Sequence, residues 1–259
     1  MMNIEKYYYA SSLSDAYKVL SETSGAAVLG GCGYLRMGKR KITTAIDLSK
    51  LELDYIRENE NEIEIGAMAT LRSVETSDII KKYFGGILAE CVESIVGIQL
   101  RNTLTIGGTV AGRYPFSDIL TSLMVLDVKV HFVNSGVVPL EEYMSGKSVK
   151  DIIEKISISK DGRIAAFESV RNSLTDYAMI NAAVSRLNDE YKVVVGARPA
   201  KAVRSFECEK LLNSGAAVDD AAAAASAEMD FGDNVRAKSA YRKAVCPVLI
   251  KRAVKRLAE

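Results

Sequence analysis

One histidine, His131, stands in the whole chain of 259 residues. A Ser-His-Asp or Cys-His mechanism therefore has almost nothing to draw on. His131 lies in an alternating apolar run with Val128, Val130 and Phe132, and that pattern predicts a histidine on a strand face rather than a catalytic one. Cysteine is nearly as scarce. Cys32, Cys91, Cys208 and Cys246 are far apart and form no C-x-x-C pair. With one histidine beside them, neither a zinc site nor an iron–sulfur cluster held by this chain is expected. No apolar run approaches the roughly 18 residues that a membrane span needs. No charged start runs into an apolar h-region, so no signal peptide is expected and the cytoplasm is the predicted location. Neither sign of charge dominates, with 34 Lys and Arg against 33 Asp and Glu and a formal charge of +1. Nothing in that balance calls for nucleic acid or an anionic membrane. Any chemistry falls to a cofactor.

What is present reads as a soluble globular protein, with 48% hydrophobic and 26% charged residues. The length suits one large or two modest domains. Strands are predicted at Tyr7 to Ala10, Ala26 to Leu29, Ala45 to Asp47, Glu62 to Ile65, Asp127 to Val133 and Asp151 to Ser159. Helices are predicted over Ser14 to Thr23, capped by Ser12 or Ser14, from Thr70 or Ser73 through Ser77 to Lys82, and over Leu88 to Ser94 and Ile119 to Leu126, with a helical turn at Glu141 to Met144. The turn Lys160-Asp161-Gly162 marks a boundary between residues 1–160 and 161–259. Beyond it come strands at Ala165 to Val170 and Lys192 to Ala197. Helices are expected at Asp176 to Leu187, Phe206 to Asn213, Asp219 to Met229 and Ser239 to Leu257, the last kinked at or begun by Pro247. The mixture predicts an α+β fold.

Two glycine-rich stretches carry candidate chemistry. Leu29-Gly30-Gly31-Cys32-Gly33-Tyr34-Leu35 follows a buried strand. A run of small residues lets backbone N–H groups converge on a diphosphate, and it equally makes a tight turn without a ligand. Thr105-Ile106-Gly107-Gly108-Thr109 reads as a second turn, with glycines for close approach and threonine hydroxyls beside them. Neither stretch fits G-x-G-x-x-G or the Walker A pattern, which disfavours Rossmann and P-loop readings. Asp118, soon after, is either a helix N-cap or an acceptor for a sugar hydroxyl.

The order of these pieces resembles the FAD-binding (medium) subunit of the molybdenum hydroxylases, the flavoprotein of the xanthine dehydrogenase and carbon monoxide dehydrogenase type. The likeness extends over nearly the whole chain. It rests on the loop Val28 to Leu35, on Ile65-Gly66-Ala67 with Thr70, and on Gln99-Leu100-Arg101-Asn102 leading into Thr105-Ile106-Gly107-Gly108. Pro115 to Asp118 and Leu126-Asp127 follow, then Arg171, Thr175 to Ala178, Gly196 to Pro199 and Ser239 to Arg242. The resemblance implies a two-part α+β FAD-binding domain followed by a smaller α+β C-terminal domain. It implies that Leu29 to Leu35 cradle the FAD diphosphate and that Thr105 to Thr109 approach the diphosphate and ribityl region. Asp118 would accept a hydroxyl, Ile95 or Val96 would pack near the isoalloxazine, and Ile153 and Phe167 would border the adenine or flavin. It further implies a small [2Fe-2S] subunit and a large molybdopterin subunit as partners, a dimer of heterotrimers, and transfer of electrons from the clusters through FAD to NAD or another acceptor.

Some positions depart from the family pattern. The first loop there usually runs Ala-Gly-Gly-Thr-Asp, so Cys32, Gly33 and Tyr34 leave a hydroxyl and a carboxylate missing. Thr109 replaces an asparagine, and Glu168 and Ser169 stand where a lysine is common. Cys32 is either a small-residue filler or a redox-sensitive thiol beside the cofactor. Arg236 to Arg256 holds eight Lys or Arg and no acid, and reads as a solvated helix face or as a contact with an acidic partner or an NAD phosphate. Two other functions compete with the electron-transfer subunit: a non-catalytic assembly or regulatory protein with a degenerate flavin fold, and a self-contained flavin oxidoreductase, for which the C-terminal part is small.

Overall fold

A computed structural model describes residues 2–258. In chain order the first half runs β1 (Asn3–Tyr9), α1 (Leu13–Glu22), β2 (Ala27–Leu29), β3 (Lys41–Asp47), β4 (Ile56–Glu58), β5 (Glu62–Gly66), α2 (Leu71–Thr76), α3 (Asp78–Lys82), α4 (Ile87–Glu93), α5 (Ile98–Arg101), α6 (Ile106–Gly112) and α7 (Asp118–Leu123). Then come β6 (Val128–Phe132), β7 (Gly136–Pro139), α8 (Leu140–Ser145), β8 (Ile153–Ser159), β9 (Ile164–Arg171), β10 (Ala178–Leu187), β11 (Glu190–Gly196), β12 (Val203–Arg204), α9 (Phe206–Asn213), α10 (Val218–Glu228) and α11 (Ser239–Arg256). The α+β class expected from the sequence is the one found.

These elements form two compact units that interleave along the chain. The first comprises residues 1–74, 98–112 and 128–159, and the second residues 75–97, 113–127 and 160–259.

The first unit holds two sheets. One is parallel, in the order β1-β3-β2, and the other is antiparallel, in the order β4-β5-β8-β6-β7. Helix α1 covers one face of the parallel sheet and buries Ala16 and Leu20 against Ile46. Its start is well specified. The Ser12 hydroxyl accepts from the Asp15 amide at 3.1 Å, and the Asp15 carboxylate accepts in return from the Ser11 amide at 2.8 Å. Both ends of the first turn are thereby capped. On the other face Ala27, Leu29, Ile42 and Ala45 form a small core to which Cys32 and Leu35 add. His131 sits on β6 with its ring Nε2 2.9 Å from the Ser157 hydroxyl on β8, a strand-face residue as expected.

The second unit packs α9, α10 and α11 on the antiparallel sheet β12-β11-β10-β9. Strand β10 occupies a stretch whose apolar, alanine-containing sequence predicts a helix. An unbroken apolar run fits a buried strand as well as a buried helix, and here hydrogen-bonded partners on both sides decide for the strand. Helix α11 continues through Pro247 without starting there.

Part of the basic run on and before α11 is paired within the fold. Arg236 pairs with Asp176, Lys238 with Asp233, Lys251 with Asp219, and Arg256 with Glu90 and Glu168. Arg242 is fully buried and donates to the carbonyls of Met179, Gly232 and Ala237 and to the Asn234 side chain. Lys238, Lys243, Arg252, Lys255 and Arg256 are exposed, as the solvated-face reading expects, while the buried Arg242 ties loops and strands of the unit together.

Candidate functional site

The first glycine loop leaves the carboxyl end of β2 and turns at once. Gly31 makes this turn specific to glycine. A Cβ there would lie 1.5 Å from the Thr103 carbonyl oxygen and 2.5 Å from its carbon. A Cβ on Gly30 would come within 2.8 Å of the Thr105 hydroxyl, and one on Gly33 within 2.4 Å of the Leu104 side chain. The loop is therefore pressed backbone to backbone against the segment 103–108. Cys32 takes a left-handed φ of 55° and directs its thiol to the Gly30 carbonyl at 3.3 Å. The turn closes with the Arg36 amide donating to the Cys32 carbonyl at 3.2 Å, and a single 3-10 turn, Leu35–Met37, follows. The backbone N–H groups of Gly31, Cys32 and Gly33 have no acceptor among the described residues. Three successive donors of this kind, beside a surface where no side chain fits, are available to an anion.

The second stretch is not the turn its sequence predicts. It is the first turn of α6, and its donors are already engaged. The Ile106 amide donates to Ala69 O, that of Gly107 to Ala67 O, that of Gly108 to the Thr105 hydroxyl, and that of Thr109 to Thr105 O. Its glycines serve proximity instead. A Cβ at Gly107 would lie 2.6 Å from the Ala67 Cβ, while Gly108 faces Gly30 and Gly31. A two-residue bridge between Thr70 and Thr105 fixes the register of the approach.

A cleft of about 120 Å³ opens where these parts meet. Leu29, Gly30, Thr105, Gly107 and Gly108 line one side. Val149, Ile152 and Ile153 line another, with Phe132 and Tyr143. The lining combines apolar side chains with polar groups, as a small-molecule site requires. Asp151 also borders the cleft, but its carboxylate is held by the amides of Ser135 and Ile152 at 2.7 Å each.

The structure thus brings together, in the first unit, the loop Leu29 to Leu35, the segment Thr105 to Thr109, and Ile153. The other four residues named from the sequence belong to the second unit. Phe167 is buried on β9 opposite Ala183. Ile95 and Val96 are half-buried after α4, and Val96 has a φ of 49°, a costly conformation for a β-branched residue. Asp118 is 3% exposed, with one oxygen accepting from Arg171 at 2.7 Å and the other from the Asn181 amide at 2.6 Å. Ser117 is the N-cap of α7 and accepts from the Leu120 amide, which corrects the capping role read for Asp118. Burial pushes the Asp118 carboxyl above the usual carboxylate range, and the Arg171 guanidinium and Asn181 amide oppose that push. Thr103, Val149 and Tyr143 were not legible as site residues, because chain segments distant in sequence bring Val149 and Tyr143 to the cleft and Thr103 against Gly31.

Cys32 differs from the other thiols. Cys91, Cys208 and Cys246 are fully buried, and burial pushes the last two up to about 12. Cys32 is only half-buried, and partial desolvation followed by the Asp47 charge raises its thiol. A native sample treated with iodoacetamide near pH 8 is expected to label slowly and at Cys32 alone, with the other three reacting only after unfolding. Peptide mapping checks this, and first labelling of Cys208 or Cys246 would contradict the burial described.

Residues 2–160 match the family model described as the FAD binding domain in molybdopterin dehydrogenase, and residues 165–257 match that of the CO dehydrogenase flavoprotein C-terminal domain. The chain is 27% identical to the glyceraldehyde dehydrogenase medium chain of Sulfolobus acidocaldarius, over 97% of this chain and 98% of that one. It is 26% identical to the carbon monoxide dehydrogenase medium chain of Hydrogenophaga pseudoflava, over 96% and 95%. Its fold matches a chain of a crystal structure of the Cu,Mo-CO dehydrogenase in its cyanide-inactivated form with a TM-score of 0.87, at 23% identity and covering 99% and 98% of the two chains.

Proposed function

This chain belongs to the family of FAD-binding domains of molybdopterin dehydrogenases, and we propose that within such an oxidoreductase it is the subunit that carries electrons from partner [2Fe-2S] clusters, through FAD, to NAD or another acceptor. Bound FAD supplies the chemistry that joins one-electron to two-electron steps. The chain's own residues bind, orient and shield it. No side chain of the site has to act as acid, base or nucleophile, which agrees with the scarcity of histidine.

The observation that carries this reading is the loop at Gly30 to Gly33. The backbone amides of Gly31, Cys32 and Gly33 have no acceptor among the described residues, and Gly31 sits where any side chain collides with Thr103. This fits a diphosphate held by main-chain donors. Leu29, Tyr34 and Leu35 anchor the two ends of the cradle. Thr105, Ile106, Gly107, Gly108 and Thr109 form the wall against which it closes, and Ile153 supplies an apolar border. In the second unit Ile95, Val96 and Phe167 are the apolar residues we assign to the ring system, and Asp118 is the carboxylate assigned to a hydroxyl. The partners in this reading are a small [2Fe-2S] subunit and a large molybdopterin subunit, in a dimer of heterotrimers.

The test is retention of flavin. The chain, alone and co-expressed with its partner subunits, is incubated with FAD, desalted and scanned in the visible range. Flavin bands that stay with the protein are expected. At FAD one hundred times its Kd, stability should rise by about 2.7 kcal/mol, read as a higher Tm. An assembled complex without flavin bands would favour the second reading, a non-catalytic assembly or regulatory protein. Two observations lean that way: the loop has Gly33 and Tyr34 where the family's loop has a threonine and an aspartate, and both Asp118 oxygens already accept hydrogen bonds.

A further inference from the structure

Arg256, the last residue of α11, reaches from its own helix to two other elements of the second unit. Its Nη1 donates to the Phe167 carbonyl at 2.9 Å and to a Glu168 carboxylate oxygen at 3.1 Å, both on β9. The same guanidinium grips Glu90 on α4 as a fork, with Nη1 donating to Oε1 at 2.9 Å and Nη2 to Oε2 at 2.7 Å. Strand β9 is the edge of its sheet, with β10 on one side. An edge strand leaves main-chain groups to be met by something other than a strand, and at Phe167 that partner is Arg256.

The strand and the helix joined in this way hold the residues assigned above to the ring system. Phe167 supplies the carbonyl itself. Ile95 and Val96 follow directly on α4, which ends at Glu93, and the Ile95 amide donates back to the Val92 carbonyl at 3.0 Å. Val96 keeps its φ of 49°, and a residue in that conformation persists where its surroundings hold it there. Main chain sets the approach before α4, since a Cβ on Gly85 would lie 3.0 Å from the Ala165 carbonyl of β9. Arg256 sets it at the middle of the helix. A planar guanidinium suits the task, because it can bind both oxygens of one carboxylate and still donate to a carbonyl and a second acid. It also places one cation between two carboxylates, Glu90 and Glu168.

We propose that Arg256 is a positioning residue for the flavin ring system: it ties β9 at Phe167 to α4 ahead of Ile95 and Val96, and it offsets the charge of Glu90 and Glu168 beside them. The inference rests on the flavin reading above. It goes further in placing control of the ring environment at the end of the C-terminal helix, on a side chain that acts through other residues. Two separable effects follow. The fork sets geometry, and the positive charge favours the electron-richer, reduced form of a nearby cofactor.

The experiment compares the full chain, assembled with its partner subunits, with its Arg256→Met and Arg256→Lys variants. The Kd of FAD, the Kd of ADP and the midpoint potential of the bound flavin are measured for each. ADP carries the diphosphate without the ring system, so it reports on the glycine loop alone. Arg256→Met should weaken FAD about tenfold, the scale of one lost positioning contact, and leave ADP unchanged. It should also lower the potential by about 30 mV, a tenfold shift of a two-electron couple toward the oxidised form, because two carboxylates lose their cation. Arg256→Lys keeps the charge without the fork, so it should hold the parent potential and still weaken FAD. Should Arg256→Met not fold, Arg256→Lys decides by a weakened FAD against an unchanged ADP. If FAD and ADP weaken together and Tm falls, Arg256 serves stability alone and the inference is wrong. Parent affinity and parent potential in Arg256→Met overturn it as well, and the flavin reading stands. A parent complex that binds no FAD removes the flavin reading and the inference with it.

Discussion

Alanine at position 31 is expected to abolish FAD retention and to lower Tm by about 10 °C or more. The added Cβ would overlap the Thr103 carbonyl at 1.5 Å, and the obstacle is backbone, so no rotamer change can relieve it. Either the loop or the segment leading into α6 must move. Such a collision belongs among the rare substitutions that cost more than about 4 kcal/mol, and for a chain of this size each kcal/mol shifts Tm by about 2–4 °C. Gly136 is the control. It has a φ of 74° as the first residue of β7, and a Cβ there meets nothing within 4 Å. Gly136→Ala should cost only the conformational penalty of about 1 kcal/mol and leave flavin binding alone. Thermal melts of the two variants with and without FAD check both statements. A Gly31→Ala protein that melts like the parent and holds flavin would show that the loop is not the cradle described.

The second large effect is expected at the ion pair in the other unit. Arg171→Met should destabilise the protein by about 3–5 kcal/mol, because it leaves Asp118 buried and without its cation. The variant should also acquire a pH dependence whose sign follows from the direction of the shift. Burial already raises the Asp118 carboxyl, and loss of Arg171 removes the main opposing influence. A folded-state value above the unfolded value of about 3.9 means that the acid is protonated in the folded protein where it is ionised in the unfolded chain. Its contribution is then fully present below that unfolded value and is lost as pH rises through the raised folded value. Urea denaturation of Arg171→Met should accordingly give a lower midpoint at pH 7.5 than at pH 5. The double variant Arg171→Met, Asp118→Asn should recover much of the loss and lose this slope. Equal midpoints for the single variant at both pH values would mean that Asp118 finds another partner or water.

The contrast between these two sites explains what the sequence could and could not disclose. The first loop was legible because glycines in a row after a buried strand have few purposes. Helix α9 was legible to the residue, at Phe206–Asn213, because its polar and apolar positions alternate with helical period. Strand β10 was not, because every position from Ala178 to Val184 except Asn181 is apolar, and such a run has no period to read. Its partners on β9 and β11 decide its form. Asp118 was visible as a carboxylate near a helix start, but its bond to Arg171 spans 53 residues, and no local pattern announces it. The second glycine pair was recognised for closeness. Its role as a helix start was missed because Gly-Gly argues against a helix interior, and the preceding carbonyls of Ala67 and Ala69 compensate by capping it.

The interleaving of the two units bears on how this chain can be made and divided. All parts of the first unit have been synthesised by residue 159, whereas α4 and α7 of the second must wait for β9 to β12 and α9 to α11, the last of which ends at Arg256. During that interval the apolar faces of α4 and α7, which bear Leu88, Val92, Ile119 and Leu123, have no sheet to cover them. A fragment that begins at residue 160 lacks the same two helices for good. Gene fusions, split versions and tags on this subunit should therefore leave the chain covalently whole through 75–127, and a truncation at the turn near residue 160 should yield an aggregating product rather than a free domain.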